Sequence, residues 1–277
     1  MTFGERLRDL AAERGRLCVG IDPHPELLES WGLRDDAAGL AEFSRICVAA
    51  FGGTAALVKP QVAFYERFGS AGFAVLEETI AALRTAGCLV VADAKRGDIG
   101  STMAGYARAW LADGSPLLSD AVTVSPYLGV GALRPVLELA EETGRGVFVL
   151  AATSNPEAVE LQSITGADGR TLAQRVVDEL AGYNAAHGSQ GRAGNLGVVV
   201  GATLGAPPSL AELNGPVLLP GVGAQGATAV DVDRVAAGVA GLAFPNISRA
   251  ILTAGPEVAD LRKAVADAAV DFPGLPR

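Results

Sequence analysis

The chain has 277 residues, 49% hydrophobic and 5% aromatic, and its 22 basic and 31 acidic side chains give a net charge of −9. That length suits one large core, while an acidic balance with no Lys/Arg run argues against a nucleic-acid or membrane-surface role. Two histidines, His24 and His187, are too few for a multi-histidine metal site, and no apolar run reaches the roughly 20 residues that cross a bilayer.

The segment MTFGERLRDLAAERG (1–15) predicts an amphipathic N-terminal helix and lacks the apolar centre of a signal peptide. Cys18, Cys47 and Cys88 are odd in number and without metal-ligand spacing, which suits a reducing cytoplasm. From there a short apolar strand followed by an Ala-rich amphipathic helix recurs. Strands are expected at 16–22, 55–59, 88–93, 120–124, 146–151, 196–202, 216–220 and 241–248. Helices are expected near 36–51, 68–86, 98–112, 129–142, 171–187, 208–213, after Gly226, and at 257–270. A long polar loop, 152–170, can serve as a lid or as a passive surface excursion.

Eight strand–helix units with apolar rather than alternating strands imply a parallel sheet covered on its outer face. Count and length favour a closed (β/α)8 TIM barrel, one domain over 1–277, with an extra N-terminal helix and a loose tail at 271–277. No G-x-G-x-x-G follows the first strand, so an open dinucleotide-binding sheet loses its main support.

Barrels of this kind work at the carboxyl ends of their strands, and polar residues cluster there. Strand one ends in Asp22, strand two in Lys59 and strand three in VVADAKRGDIGST (90–102), which delivers Asp93, Lys95 and Asp98 within six residues. Strand four ends near Thr123 and Ser125, and strand five leads into Thr153 and Ser154. A lysine that closes an apolar strand needs a carboxylate partner; Asp93 on the next strand can supply it for Lys59, and Lys95 and Asp98 extend the line. Asp98 and Thr102 are four apart, hence on one helical face beside Ile99. After strand seven, Gly221, Gly223 and Gly226 allow backbone N–H groups to approach an anion, and Arg249 can fork onto phosphate oxygens. Gln225 can reach in from the same loop. His24, in a turn after Asp22-Pro23, reads as incidental.

GID at strand one, VKPQVAFYE (58–66), DAKRGDIGST, PGVGAQG and NISRAIL together resemble the orotidine 5′-phosphate decarboxylase family. The stretch 58–66 and the long fifth loop are similar to the subgroup common in mycobacteria and related bacteria. The resemblance implies conversion of orotidine 5′-monophosphate to uridine 5′-monophosphate and CO2, the last step of de novo pyrimidine synthesis, without metal or cofactor. It also implies a homodimer with sites at the interface. On that basis Lys95 is the proton donor to C6 and Asp93 lies against the substrate carboxylate. Lys59 and Asp98 complete an alternating charge line, Asp98 coming from the other subunit with Ile99 and Thr102. Asp22 and Lys59 hold ribose hydroxyls, and Ser154 or the adjacent Thr153 reads the pyrimidine. Gln225 and Arg249 hold the phosphate, with Ser248 standing where the family often has glycine.

Two rivals share parts of this pattern. A Mg2+-dependent sugar-phosphate lyase uses a similar D-x-K-x-x-D but wants a carboxylate near strand two, where Lys59 would repel a cation. A catalytically silent nucleotide-binding barrel would be expected to have lost one of Lys59, Asp93, Lys95 or Asp98, and all four are present.

Overall fold

In a computed structural model, which describes residues 1–223 and 225–274, eight parallel strands pair in chain order and close on themselves, β1 against β8. They are β1 (Cys18–Ile21), β2 (Leu57–Pro60), β3 (Leu89–Arg96), β4 (Ala121–Val124), β5 (Gly146–Ala152), β6 (Leu196–Val200), β7 (Val217–Pro220) and β8 (Ala243–Ile247). The fold is the (β/α)8 TIM barrel that the strand–helix rhythm predicts. Among the described residues no helix is long and apolar enough to cross a membrane.

Successive strand side chains point to opposite faces, and here both faces are buried. Val19, Ile21, Val58, Val90, Ala92, Val122 and Val149 point outward into a shell of helices. Cys18, Leu57, Leu89, Val91, Ala121, Phe148, Leu218 and Phe244 fill the barrel interior. The shell includes α1 (Phe3–Arg14), α2 (Pro25–Ser30), α3 (Ala37–Phe51), α4 (Val62–Glu66), α5 (Gly69–Thr85) and α6 (Gly100–Leu111). It continues with α7 (Arg134–Thr143), α8 (Ala158–Gln162), α9 (Leu172–Gly188), α10 (Ala229–Val235), α11 (Arg249–Leu252) and α12 (Val258–Ala269).

Helix α1 closes the amino end of the barrel. Thr2 and Glu5 form a reciprocal capping box. The Phe3 backbone N–H donates to Asn195 Oδ1 at 2.6 Å, which sets the Phe3 ring edge-on to Phe148, centroids 5.9 Å apart. A Cβ at Gly146 would run into that ring.

Four expectations change. Strand three runs on to Arg96 instead of stopping at 93, because Asp93 and Lys95 stay in the barrel wall. No helix forms at 208–213; Leu210 and Leu213 are buried from a turn instead. Short helices α2, α4, α8 and α11 occupy stretches too brief for periodicity to register. The tail is not loose through 274: Phe272 is buried, its carbonyl accepts from the Arg16 backbone N–H at 2.9 Å, and Arg16 Nε donates to Pro273 O at 2.9 Å. Residues 275–277 of that expected tail lie outside the described residues.

Candidate active site

Climbing the inner face of the barrel, the side chains change from apolar to charged within one pleat. On β2 the inward positions are Leu57 then Lys59; on β3 they are Val91, Asp93 and Lys95; on β4 they are Ala121 and Thr123. These upper residues line a cavity of about 350 Å³ at the carboxyl ends of the strands. Its floor and far wall are apolar, formed by Leu150, Val199, Leu218 and Pro220.

Asp93 is the hub. Its Oδ2 accepts from Lys59 Nζ at 2.9 Å and Gln61 Nε2 at 2.8 Å, and its Oδ1 accepts from Lys95 Nζ at 2.6 Å and Thr123 Oγ1 at 2.9 Å. Burial alone would push this carboxyl up, yet the ammonium groups of Lys59 and Lys95 outweigh it and hold Asp93 well below the usual carboxylate range. Burial alone would likewise lower Lys59, but Asp93 and Asp22 override it and raise its ammonium well above the ordinary lysine value. Asp22 Oδ1 stands 3.8 Å from Lys59 Nζ. The chain therefore sets a line of alternating charge, Asp22, Lys59, Asp93, Lys95, across one side of the cavity. Lys59 is buried at 7% side-chain exposure, whereas Lys95 at 45% opens toward whatever enters.

Local backbone geometry places Lys95. The β3–β4 register jumps from Ala92↔Val122 to Arg96↔Val124, so Asp93, Ala94 and Lys95 stand opposite Thr123 alone. Such a bulge re-aims side chains. Lys95 takes a left-handed φ of 49°, which for a non-glycine residue costs of order 1–3 kcal/mol. Its surroundings hold it there. The Lys95 N–H donates to Thr123 Oγ1 at 2.9 Å, and Ser125 N donates to Arg96 O at 2.7 Å. Arg96 itself pairs with Glu66 and lies over the rings of Tyr106 and Trp110.

Across the barrel from Asp93 and Lys95, the β7 and β8 ends bring Gln225, Ser248 and Arg249 to the cavity, Ser248 at the end of the strand next to that of Asp22. Ser248 Oγ and Asp22 Oδ1 are buried without a hydrogen-bond partner among the described residues, the state of polar atoms aimed at a ligand site. Gly20 is required beneath them, since a Cβ there would stand 2.6 Å from Ser248 Cβ. The glycine loop differs from expectation in one respect. The N–H groups of Gly223 and Gly226 donate to Ala227 O and Gly223 O, so they shape the turn and are not free for an anion. Gly221, Gly223 and Gly226 all have positive φ, which accounts for glycine at each. Ala224 lies outside the described residues.

Of the other expected residues, Ser154 is not on the cavity wall; its Oγ donates to Gln225 Oε1 at 2.9 Å, tying the β5 loop to the β7 loop, while Thr153 lines the cavity. Asp98, Ile99 and Thr102 are not brought to their own chain's cavity. Asp98 Oδ1 accepts only from the Ile99 N–H at 2.8 Å and forms no ion pair with described residues, and Ile99 is 62% exposed. Gln61 and Asn246 reach the site without having been singled out for it, and Thr123, named only as a polar residue at a strand end, reaches it too. Gln61 and Thr123 sit two residues from Lys59 and Ala121 on an inward-facing count, a signal that the period-2 rule could have supplied. His24, read as incidental, lines the cavity and packs edge-on to Phe64 with centroids 4.3 Å apart. Among the described residues no group of three or more His, Cys, Asp or Glu side chains could hold a metal ion.

Comparisons with known proteins agree with this geometry. Residues 15–264 match the family model for the orotidine 5′-phosphate decarboxylase / HUMPS family. An orotidine 5′-phosphate decarboxylase of Corynebacterium efficiens is 69% identical over 276 residues, covering 100% of this chain and 99% of its own. One from Salinispora tropica is 58% identical, covering 95% of this chain and 94% of its own. Among solved structures, a candidate orotidine 5′-phosphate decarboxylase from Streptomyces avermitilis superposes with a TM-score of 0.93 at 54% identity, covering 98% of this chain and 94% of that one.

Proposed function

The chain belongs to the orotidine 5′-phosphate decarboxylase / HUMPS family, and from that premise we propose the route by which it converts orotidine 5′-monophosphate to uridine 5′-monophosphate and CO2. The C6–carboxylate bond breaks and leaves its electron pair on C6. That carbanion lies in the ring plane, so the pyrimidine π-system cannot spread its charge. Lys95 supplies a fixed ammonium where the charge develops, then transfers its proton to C6 and is recharged from solvent. The observation that carries this reading is the placement of Lys95 Nζ, 2.6 Å from Asp93 at the open edge of an otherwise buried charge line.

The remaining roles are those that the family resemblance implies, and the charge line and the cavity lining support them. Asp93 pairs with the Lys95 ammonium and lies against the substrate carboxylate. Asp22 and Lys59 hold the ribose hydroxyls. Arg249 and Gln225 take the phosphate, with Ser248 alongside. Their distance from the reacting carbon lets phosphate binding energy go into orienting the base and closing the loops. The Ser154–Gln225 bond links the base end to the phosphate end, so Ser154 answers to both.

Asp98, Ile99 and Thr102 act in the partner subunit's site within a homodimer. What supports this is that Asp98 pairs with no cation among the described residues and stands beside an exposed Ile99. The protein works in the cytoplasm and takes no metal or cofactor.

The test is an absorbance assay with orotidine 5′-monophosphate in EDTA. Wild type should turn over at an unchanged rate, and Lys95→Ala should abolish turnover while still binding uridine 5′-monophosphate. Loss of wild-type activity on chelation would favour the metal-dependent lyase. Substantial decarboxylation by Lys95→Ala would remove the proton-donor role.

A further inference from the structure

We propose that Thr123 is a positioning residue for the decarboxylation, its hydroxyl fixing both ends of Lys95 before substrate arrives. This rests on the reading of Lys95 as proton donor.

Thr123 is 1% exposed and is the single β4 residue opposite the three-residue bulge of β3. In a regular parallel ladder the Lys95 N–H would find a backbone carbonyl on the neighbouring strand. The bulge removes that carbonyl, and a buried N–H cannot be left unpaired without penalty. Thr123 Oγ1 fills the gap, accepting the Lys95 N–H at 2.9 Å. A hydroxyl has one proton to give, and Thr123 gives it to Asp93 Oδ1 at 2.9 Å. The same Oδ1 binds Lys95 Nζ at 2.6 Å. The result is a closed circuit: Lys95 backbone to Thr123, Thr123 to Asp93, Asp93 to the Lys95 ammonium.

The circuit holds the lysine in a left-handed conformation, φ 49°, that a non-glycine residue leaves when unsupported. It also fixes the proton of Thr123 on the carboxylate, so Asp93 cannot rotate away from Lys95. Thr123 lines the cavity from β4, four strands round the barrel from β8, whose end carries Ser248 and Arg249. Its contribution should therefore appear in the chemical step and not in substrate capture.

Three variants test this. Thr123→Val keeps shape and removes the hydroxyl, Thr123→Ser keeps the hydroxyl and removes the methyl, and Thr123→Ala removes both. Thr123→Val should lower kcat by about tenfold or more, a loss of the size that misplacing a reacting group produces. Its KM for orotidine 5′-monophosphate and its affinity for uridine 5′-monophosphate should stay within about threefold of wild type. Thr123→Ser should recover kcat to within about threefold. A valine variant with near wild-type kcat, or a serine variant as impaired as the valine one, would overturn the proposal, the latter by assigning the effect to methyl packing. If valine does not fold, as judged by circular dichroism, alanine against serine makes the same comparison. An inactive wild type, or an active Lys95→Ala, fails the underlying reading instead and is told apart by those two controls.

Discussion

Asp93 receives four donors on two oxygens, which is close to all that a carboxylate can accept. Its folded-state pKa is depressed, so its contribution to stability is complete above the unfolded value and is lost as pH falls toward the folded one. The stability gap between wild type and Asp93→Asn, measured by urea unfolding, should be constant above about pH 5 and shrink progressively below it. A gap that widens on acidification would contradict the depressed value. Lys59 has the opposite sign: raised by Asp93 and Asp22 against its burial, its contribution is complete below the ordinary 10.5 and fades as pH rises through its higher folded value. At this scale the sequence was informative because charge at the end of an apolar strand demands a partner, which found Lys59, Asp93 and Lys95. It placed Thr123 at a strand end but gave it no task, since a threonine in a strand is ordinary, and only the β3–β4 register reveals which backbone group it serves.

The elements divide the barrel into a rigid end and a working end. Helix α1 plugs the amino end with Phe3, fully buried against Phe148, and Arg6 adds a 3.3 Å contact to Asp120. Phe3→Ala should cost about 3–5 kcal/mol in unfolding free energy, the usual range for deleting a buried phenyl ring. KM should stay unchanged, because the cavity lies at the opposite end of the strands. A shifted KM with normal stability would mean the plug reaches the site. Strand–helix rhythm made these elements legible, and strand ends were misjudged where polar residues continue a strand, as at Asp93–Arg96. The helix expected at 208–213 failed because two buried leucines alone do not distinguish a turn from a helix.

For the molecule as a whole, one chain brings Asp93 and Lys95 of the D-x-K-x-x-D stretch together with Lys59 and leaves Asp98 outside. Ile99, Tyr127 and Leu128, on the adjacent β3 and β4 loops, are 62%, 78% and 54% exposed, an apolar presence suited to a partner. On the proposed dimer, Lys95→Ala mixed with Asp98→Asn should regain activity, since a heterodimer assembles one intact site. Absence of recovery despite demonstrated subunit exchange would place Asp98 outside the chemistry. Sequence alone put Asp98 on one helical face with Thr102, whereas α6 begins at Gly100 and Asp98 precedes its cap Ile99; which cavity it serves depends on a surface and not on a spacing.

The plugged end has a practical corollary. Met1 projects into solvent at 78% exposure directly before the Phe3 stopper, and the stretch through Gly274 packs alongside Ala11 on the same side. Anything tethered at residue 1, whether a bead, a chip surface or a fused reporter, would hang beneath the floor and leave the nucleotide's doorway unobstructed.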